Sequence, residues 1–488
     1  MRTADTVFTP VEPIAAPASP ISEAAAEAWI PRTCFKNGPP GRVGLELELL
    51  VVDAGHGTRP AGTRRSRHRR DPAVLRGLAD GGLDGSLTVE PGGQVELSSR
   101  PGPHLSHTVD VVRRDLAAMT RRAARLGFRL VGEGVDPIAE PVRVLDDPRY
   151  ATMESYFDRW GPAGRIMMCS TASVQVNVEA GLAAPGRTGP SATIGHRWDL
   201  LHAIGPALVA AFANSPLHAG RLTGWKSTRQ AVWATLDPAR TSAPTRRPGE
   251  DIADAWARCS LDAPVMIIRR DRGPWTAPDG LTFREWIRQG RAAVPDRPPP
   301  SVDDLAYHLT TLFPPVRPRG HLEVRYVDAQ PGPWWTVPPA VITSLLDDDA
   351  AGQLALEITR PVRGRWRDAA RLGVSDPLLA KAAIAVLGLA ATVLAREPRD
   401  RRFVGQVEGY IERWTARGMS PADDAPIWDP RRAPSPHDDR TELDDRTELD
   451  DRTELDDRTE LDDRTDGLTY GLTDGLESAV GEQIGDLP

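Results

Sequence analysis

The stretch Val43-Gly-Leu-Glu-Leu-Glu-Leu-Leu-Val-Val52 decides the fold. Its Leu and Val content marks a strand, and strand side chains alternate between two faces. Glu46 and Glu48 therefore share one face, about 7 Å apart, while Leu45, Leu47 and Leu49 take the other. Three further segments repeat the design. In Ser86-Leu-Thr-Val-Glu-Pro-Gly-Gly-Gln-Val-Glu-Leu97 two short strands flank a Pro-Gly-Gly turn, which brings Glu90 and Glu96 near each other. In Ala172-Ser-Val-Gln-Val-Asn-Val178, Gln175 and Asn177 alternate with valines. In Gly320-His-Leu-Glu-Val-Arg-Tyr-Val-Asp328, Glu323 and Arg325 share a face, and Leu322, Val324 and Tyr326 share the opposite one.

One such strand describes any antiparallel sheet with a wet face. Across these strands, however, the polar faces gather five glutamates and little else charged, and side-by-side like charges destabilise a sheet unless something neutralises them. A divalent cation does so. Hard ions take carboxylate and amide oxygens and share substrate phosphates, so carboxylates without a His/Cys cluster point to Mg²⁺, with Mn²⁺ the alternative, over zinc. Residue chemistry thus reaches a metal-dependent, phosphate-handling sheet and leaves its substrate open.

The rest of the chain bounds this reading. The 488 residues carry a formal net charge of −8. DDRTEL occurs four times from Asp438 to Leu461 at −2 a copy, and DDRTD at 462–466 adds −2, so these supply −10 and the remainder stands at +2. A near-neutral body gives no support for nucleic-acid binding. Cys34, Cys169 and Cys259 are widely spaced, which suggests a reducing compartment, and Cys169 before an apolar strand reads as a buried thiol rather than a nucleophile. No basic-then-apolar leader opens the chain. The longest apolar run, Ala382–Ala395, falls short of the roughly 17–25 residues of a membrane span and reads as a buried helix. These features predict a cytoplasmic protein without membrane partners.

The expected organisation is a frayed N-terminus over 1–21, one catalytic body over 22–425 and a disordered acidic tail over 426–488. Helices are predicted at 22–30, 105–126, 194–213, 376–395 and 402–417, loops at 241–250 and 290–300. The basic run Arg64–Arg70 reads as a solvated loop, with phosphate contact as the alternative. A six-residue repeat with one Leu per copy cannot offset its ordering entropy. P-loop, GxGxxG, GxSxG and HExxH signatures are missing.

Five motifs together, VGLELELLVVD, TVEPGGQVELSS, MMCSTASVQVNVEAG, FANSPLHAGRLTGWKSTRQAVW and TLFPPVRPRGHLEVRYVDAQ, resemble the plant and bacterial glutamate–cysteine ligase family over roughly 25–420. Within that family the resemblance is to the branch that supplies γ-glutamylcysteine for ergothioneine biosynthesis. It implies an α+β fold of the glutamine-synthetase-like carboxylate–amine ligase kind, a curved, mainly antiparallel sheet funnel with helices on its outer face. It also implies the reaction: ATP as co-substrate phosphorylates the γ-carboxylate of glutamate, and the cysteine amine displaces phosphate. Two or three Mg²⁺ ions held by Glu46, Glu48, Glu90, Glu96 and Glu323 then bridge the phosphates, with Glu48 and Arg325 catalytic and Arg325 meeting the developing charge. The alternative for Arg325 is a structural partner of Glu323. Gln175, Asn177 and Lys226 are the expected ATP-binding residues. Arg229, Arg165 and Trp225 are the expected substrate-binding ones, Arg229 through a bidentate pair with the α-carboxylate. Two rival functions stay open: ligation to a different amine, and a non-catalytic binding protein whose acidic tail recruits a partner.

Overall fold

The computed structural model describes residues 19–53, 71–184 and 189–424. The basic run at 64–70, most of the predicted N-terminal segment and the acidic repeats lie outside the described residues, as does the second of the two units into which the chain divides, Pro434–Pro488.

The strands expected in the four segments join two further ones in a single antiparallel sheet. Its members are β1 (Val43–Asp53), β2 (Ser86–Val89), β3 (Val95–Ser98), β4 (Phe128–Val131), β5 (Ser173–Glu179), β8 (Val316–Pro318) and β9 (His321–Asp328). The order is β2-β3-β1-β5-β9-β8, with β4 pairing the end of β1. The remaining strands, β6 (Leu217–His218) and β7 (Arg221–Leu222), make a separate hairpin.

Alternation along β1 explains why the sheet has two unlike faces. Leu45, Leu47 and Leu49 are buried, as are Val95, Leu97, Val174, Val176, Leu322 and Val324, and all join one hydrophobic cluster with helices Ile194–Ala211, Val337–Leu346 and Pro377–Arg396. Each such Leu or Val contributes roughly 1.5–3 kcal/mol by leaving water. The helix over the long apolar run is capped by Asp376, which accepts from the amides of Leu378 and Leu379, and half of it is buried against its neighbours. By length and composition this helix could cross a membrane; here it packs as a core helix.

The predicted helices appear at Glu23–Cys34, Leu105–Arg125, Ile194–Ala211, Pro377–Arg396 and Val404–Arg413. A second, smaller cluster gathers Met153, Tyr156, Phe157, Met167, Cys169, Val232, Met266 and Trp275 beside the polar face of the sheet. Cys169 is buried there, as the sequence predicts.

Candidate active site

Register places the polar side chains opposite one another. Glu48 pairs with Glu96 across β1 and β3, Thr88 pairs with Glu96 across β2 and β3, and Glu46 pairs with Ser98 on one side and Gln175 on the other. Glu90 enters from the turn after β2, where Gly93 N donates to Glu90 O at 2.9 Å and Gly93 holds φ at +88°. The turn is fixed from beneath. Gln94 Nε2 donates to Thr171 O at 2.9 Å, and a Cβ on Gly92 would stand 2.0 Å from Cys169 O.

The partners of these carboxylates are amides and hydroxyls. Glu48 accepts from Gln175 Nε2 at 2.8 Å and Ser173 Oγ at 2.9 Å, and Glu46 accepts from Asn177 Nδ2 at 3.0 Å. Glu96 accepts from Ser98 Oγ at 2.9 Å and Thr88 Oγ1 at 3.3 Å. Burial first, then the neighbouring Glu323, raises the Glu46 carboxyl to about 7; burial and then Glu48 do the same to Glu90. Glu96 is pushed well above the carboxylate range by burial and by Glu46, Glu90 and Glu48. Tyr150, on helix Pro148–Phe157, stands in the same field: burial and then Glu90 raise its phenol.

Glu323 has the opposite environment. It is fully buried, and Arg317 grips both oxygens, Nε to Oε2 at 2.7 Å and Nη2 to Oε1 at 2.8 Å. Burial alone would raise its carboxyl, but Arg317, Arg325 and Arg319 together hold it well below the usual range. Arg325 Nη1 donates to Glu323 Oε1 at 2.5 Å and to Gln175 Oε1 at 2.8 Å. The expected metal ligand Glu323 is thus the anchor of an arginine cluster here, and Gln175, expected at ATP, links Glu48 to Arg325 with both ends of its amide engaged. Asn177 differs, because its Oδ1 is buried without a hydrogen-bond partner.

β9 carries an irregularity that alternation did not anticipate. Val174 faces Val327 and Val176 faces Val324, so Arg325 and Tyr326 together stand opposite Gln175. This β-bulge reverses the parity that follows, and Asp328 comes to face Ser173 on the polar side. There it accepts from Asn214 N at 3.0 Å, Ser215 Oγ at 2.7 Å and Ser227 Oγ at 2.9 Å.

Four expected ligand-binding residues are engaged elsewhere. Arg165 pairs with Asp158 through Nε at 2.8 Å and Nη2 at 2.9 Å, an ion pair at the surface. Lys226 pairs with Asp423 through its Nζ. Trp225 packs on the main core, with Arg367 5.8 Å from its ring. Arg229 is buried at 2% exposure, and its Nη2 donates to the main-chain oxygen of Arg325 at 2.7 Å. Lys226 and Arg229 find partners distant in sequence, which single-chain reading cannot supply. Tyr326 likewise faces the helices, its hydroxyl donating to Leu201 O at 2.9 Å.

The residues that reading missed are Arg317, Ser173, Asp328 and Tyr150. For Arg317 a signal existed: the hairpin VRPRGH places it directly opposite Glu323.

The donor set suits a hard divalent cation. Among the described residues Glu46, Glu48, Glu90 and Glu96 have no Lys or Arg within ion-pair distance, and the Asn177 oxygen is unbonded. No three His, Cys, Asp or Glu side chains among the described residues converge into a finished metal cage. Carboxylates spread along a face accord with an ion that completes its shell with water and substrate phosphates.

Comparison with known proteins follows the same line. Residues 42–425 match the model of glutamate-cysteine ligase family 2. The chain is 39% identical over 427 residues to glutamate–cysteine ligase EgtA of Mycolicibacterium smegmatis, spanning 84% of this chain and 95% of that protein. It is 30% identical over 357 residues to the chloroplastic glutamate–cysteine ligase of Arabidopsis thaliana, spanning 69% of this chain and 65% of that one. A solved glutamate–cysteine ligase from Francisella tularensis in complex with AMP aligns with a TM-score of 0.45 at 12% identity, over 80% of this chain and 84% of that chain.

Proposed function

The chain belongs to the glutamate–cysteine ligase family, and from that premise we propose that it joins the γ-carboxylate of L-glutamate to the amine of L-cysteine at the expense of ATP. The products are γ-glutamylcysteine, ADP and phosphate, by way of a γ-glutamyl phosphate. The family resemblance extends this to supply of γ-glutamylcysteine for ergothioneine biosynthesis. A cytoplasmic setting keeps the substrate thiol and Cys34, Cys169 and Cys259 reduced.

The observation that carries the reading is the unpaired carboxylate face. In a chain with 60 Lys and Arg, Glu46, Glu48, Glu90 and Glu96 stand together without a Lys or Arg ion pair among the described residues, and the side-chain hydrogen bonds they accept come from amides and hydroxyls. Such a face suits Mg²⁺ held by these four side chains and by the Asn177 oxygen. When bound, Mg²⁺ supplies the positive charge that lets an anionic carboxylate approach an anionic phosphate. The protein's part is positional. Gln175 holds Glu48 and Arg325 at a fixed separation, and Glu323 fixes the Arg325 guanidinium, whose hydrogen bonds among the described residues run through Nη1 alone. The rest of that guanidinium meets charge developing on the transferred phosphoryl or acyl-phosphate oxygen.

The test is a turnover assay with Mg-ATP, glutamate and a panel of amino acids, the product identified by mass. γ-Glutamylcysteine forms with cysteine preferred, and EDTA abolishes it. ADP release without preference for cysteine would refute the assignment. Biological activity left unaltered by Glu46→Gln together with Glu48→Gln would favour the non-catalytic reading.

A further inference from the structure

At the bulge in β9 Arg325 and Tyr326 together oppose Gln175, so the pairing that serves the carbonyls of these two residues is irregular; Arg325 N donates to Pro315 O at 2.9 Å, and Pro315 has no N–H to return the bond. Buried carbonyls displaced in this way need other donors. Both find them on one short helix, Thr228–Ala234, from consecutive residues. Arg229 Nη2 donates to Arg325 O at 2.7 Å, and Gln230 Nε2 donates to Tyr326 O at 3.1 Å. A third residue of that helix, Trp233, lies 5.9 Å from the Arg325 guanidinium, with Phe313 at 6.0 Å on a neighbouring loop.

The helix is itself tied to the strand. Its N-cap Ser227 receives Gln230 N at 3.1 Å and donates to Asp328 Oδ1 at 2.9 Å. Ser215 receives Arg229 N at 3.2 Å and donates to the other Asp328 oxygen at 2.7 Å. Arg229 Nη1 is 3.9 Å from Asp328 Oδ1, and its Nε and Nη1 have no hydrogen-bond partner. Asp328 itself reaches the polar face only because the bulge has shifted the register.

We propose that helix Thr228–Ala234 is the positioning element of Arg325: Gln230 and Arg229 lock the bulge carbonyls and thereby set the aim of the guanidinium that Trp233 covers. The bulge keeps Arg325 opposite Gln175 on the face it shares with Glu323, and what the added residue changes is how the main chain beside the guanidinium is held. Gln230 is a positioning residue rather than a catalytic one, because it touches backbone alone. It acts on the reacting groups through one peptide unit and one side chain. Small displacements suffice, since productive geometry tolerates about half an ångström.

The kinetic part rests on the ligase reading; the structural part does not. Gln230→Met keeps the length and removes the donor. Its kcat for γ-glutamylcysteine formation falls about five- to tenfold, as for one lost hydrogen bond, while KM for ATP, glutamate and cysteine moves less than about twofold. In an Arg325→Met background, the same change costs less than about twofold more, because there is no longer a guanidinium to aim. An additive fall in the double variant, or unchanged kcat in the single one, overturns the proposal. A crystal structure of Gln230→Met gives a second measurement that needs no turnover. Arg325 leaves Gln175 or Glu323 in it, whereas a guanidinium that stays in place overturns the proposal. Wild-type protein that forms no γ-glutamylcysteine refutes the ligase reading separately, and the crystallographic arm still decides on the clamp.

Discussion

Glu48 faces Glu96 directly across two neighbouring strands, and Glu46 and Glu90 stand on the same face. Like charges so placed oppose the fold, which keeps them only because the chemistry uses them. Removing one should therefore separate stability from activity. Glu96→Gln keeps the hydrogen bonds of Ser98 and Thr88 within reach while deleting a carboxyl that burial and its acidic neighbours push well above the carboxylate range. We expect its Tm in EDTA at pH 8 to rise by about 2 °C, an effect of about 1 kcal/mol, while turnover falls at least about a hundredfold. Added Mg²⁺ stabilises the wild type and does so less in the variant. A variant less stable than wild type in EDTA would show that the carboxylate face is not strained. Differential scanning calorimetry with and without Mg²⁺ reads both quantities.

At the scale of elements, the strands were legible because a period of two survives in one sequence. Glu46, Glu48, Glu96, Glu323, Gln175 and Asn177 do line one face of one sheet, as their alternation demands, and Glu90 joins them from the turn after β2. What was not legible lies between elements. The bulge at Arg325–Tyr326 adds a residue without any mark in composition, and the Lys226–Asp423 pair joins positions nearly two hundred residues apart, so no spacing rule reveals it. The Pro-Gly-Gly turn was read as a device to bring Glu90 and Glu96 together, but its second role needed the structure: Gly92 lies against the Cys169 backbone. Gly92→Ala would force that carbonyl away, costing about 1–3 kcal/mol as overpacking does and moving Glu90 off the face. A Tm drop with a disproportionate loss of turnover is expected; an unchanged Tm would mean the turn yields freely. Helix Val302–Leu309 gives a pH test. Its His308 is buried, hydrogen-bonded to Ser260 O at 2.8 Å, and burial lowers its imidazole to about 3. The unfolded chain titrates near 6.5, so between about 6.5 and 3 it binds a proton the folded chain refuses, and stability falls as pH drops through that window. Denaturant midpoints for wild type and His308→Gln should converge as the pH is lowered from 7 to 4, the variant losing the steeper part of the slope. Parallel curves would contradict a neutral buried imidazole.

For the whole molecule, the question is where the working body ends. The last described residues are fastened to the core rather than trailing from it. Ala422 N donates to Ala213 O at 3.0 Å, Trp414 Nε1 donates to Asp424 Oδ2 at 2.7 Å, and Asp423 pairs with Lys226, the residue just before the Ser227 cap. The four DDRTEL copies beyond them carry a net charge of −8 and only one Leu each to join a core. Two truncations should then behave differently. Removing 430–488 should leave kcat within about twofold and Tm nearly unchanged, since every contact just named is retained. Ending the chain after residue 419 removes Asp423 and Asp424 together. It should leave the Lys226 ammonium and Trp414 indole unpaired, lower Tm by several degrees and, through the Ser227 cap, reach the helix that holds Arg325. Lost turnover on removing 430–488 alone would assign the acidic repeats a part in catalysis. Equal behaviour of both would mean that the 420–424 segment contributes nothing to the body it closes.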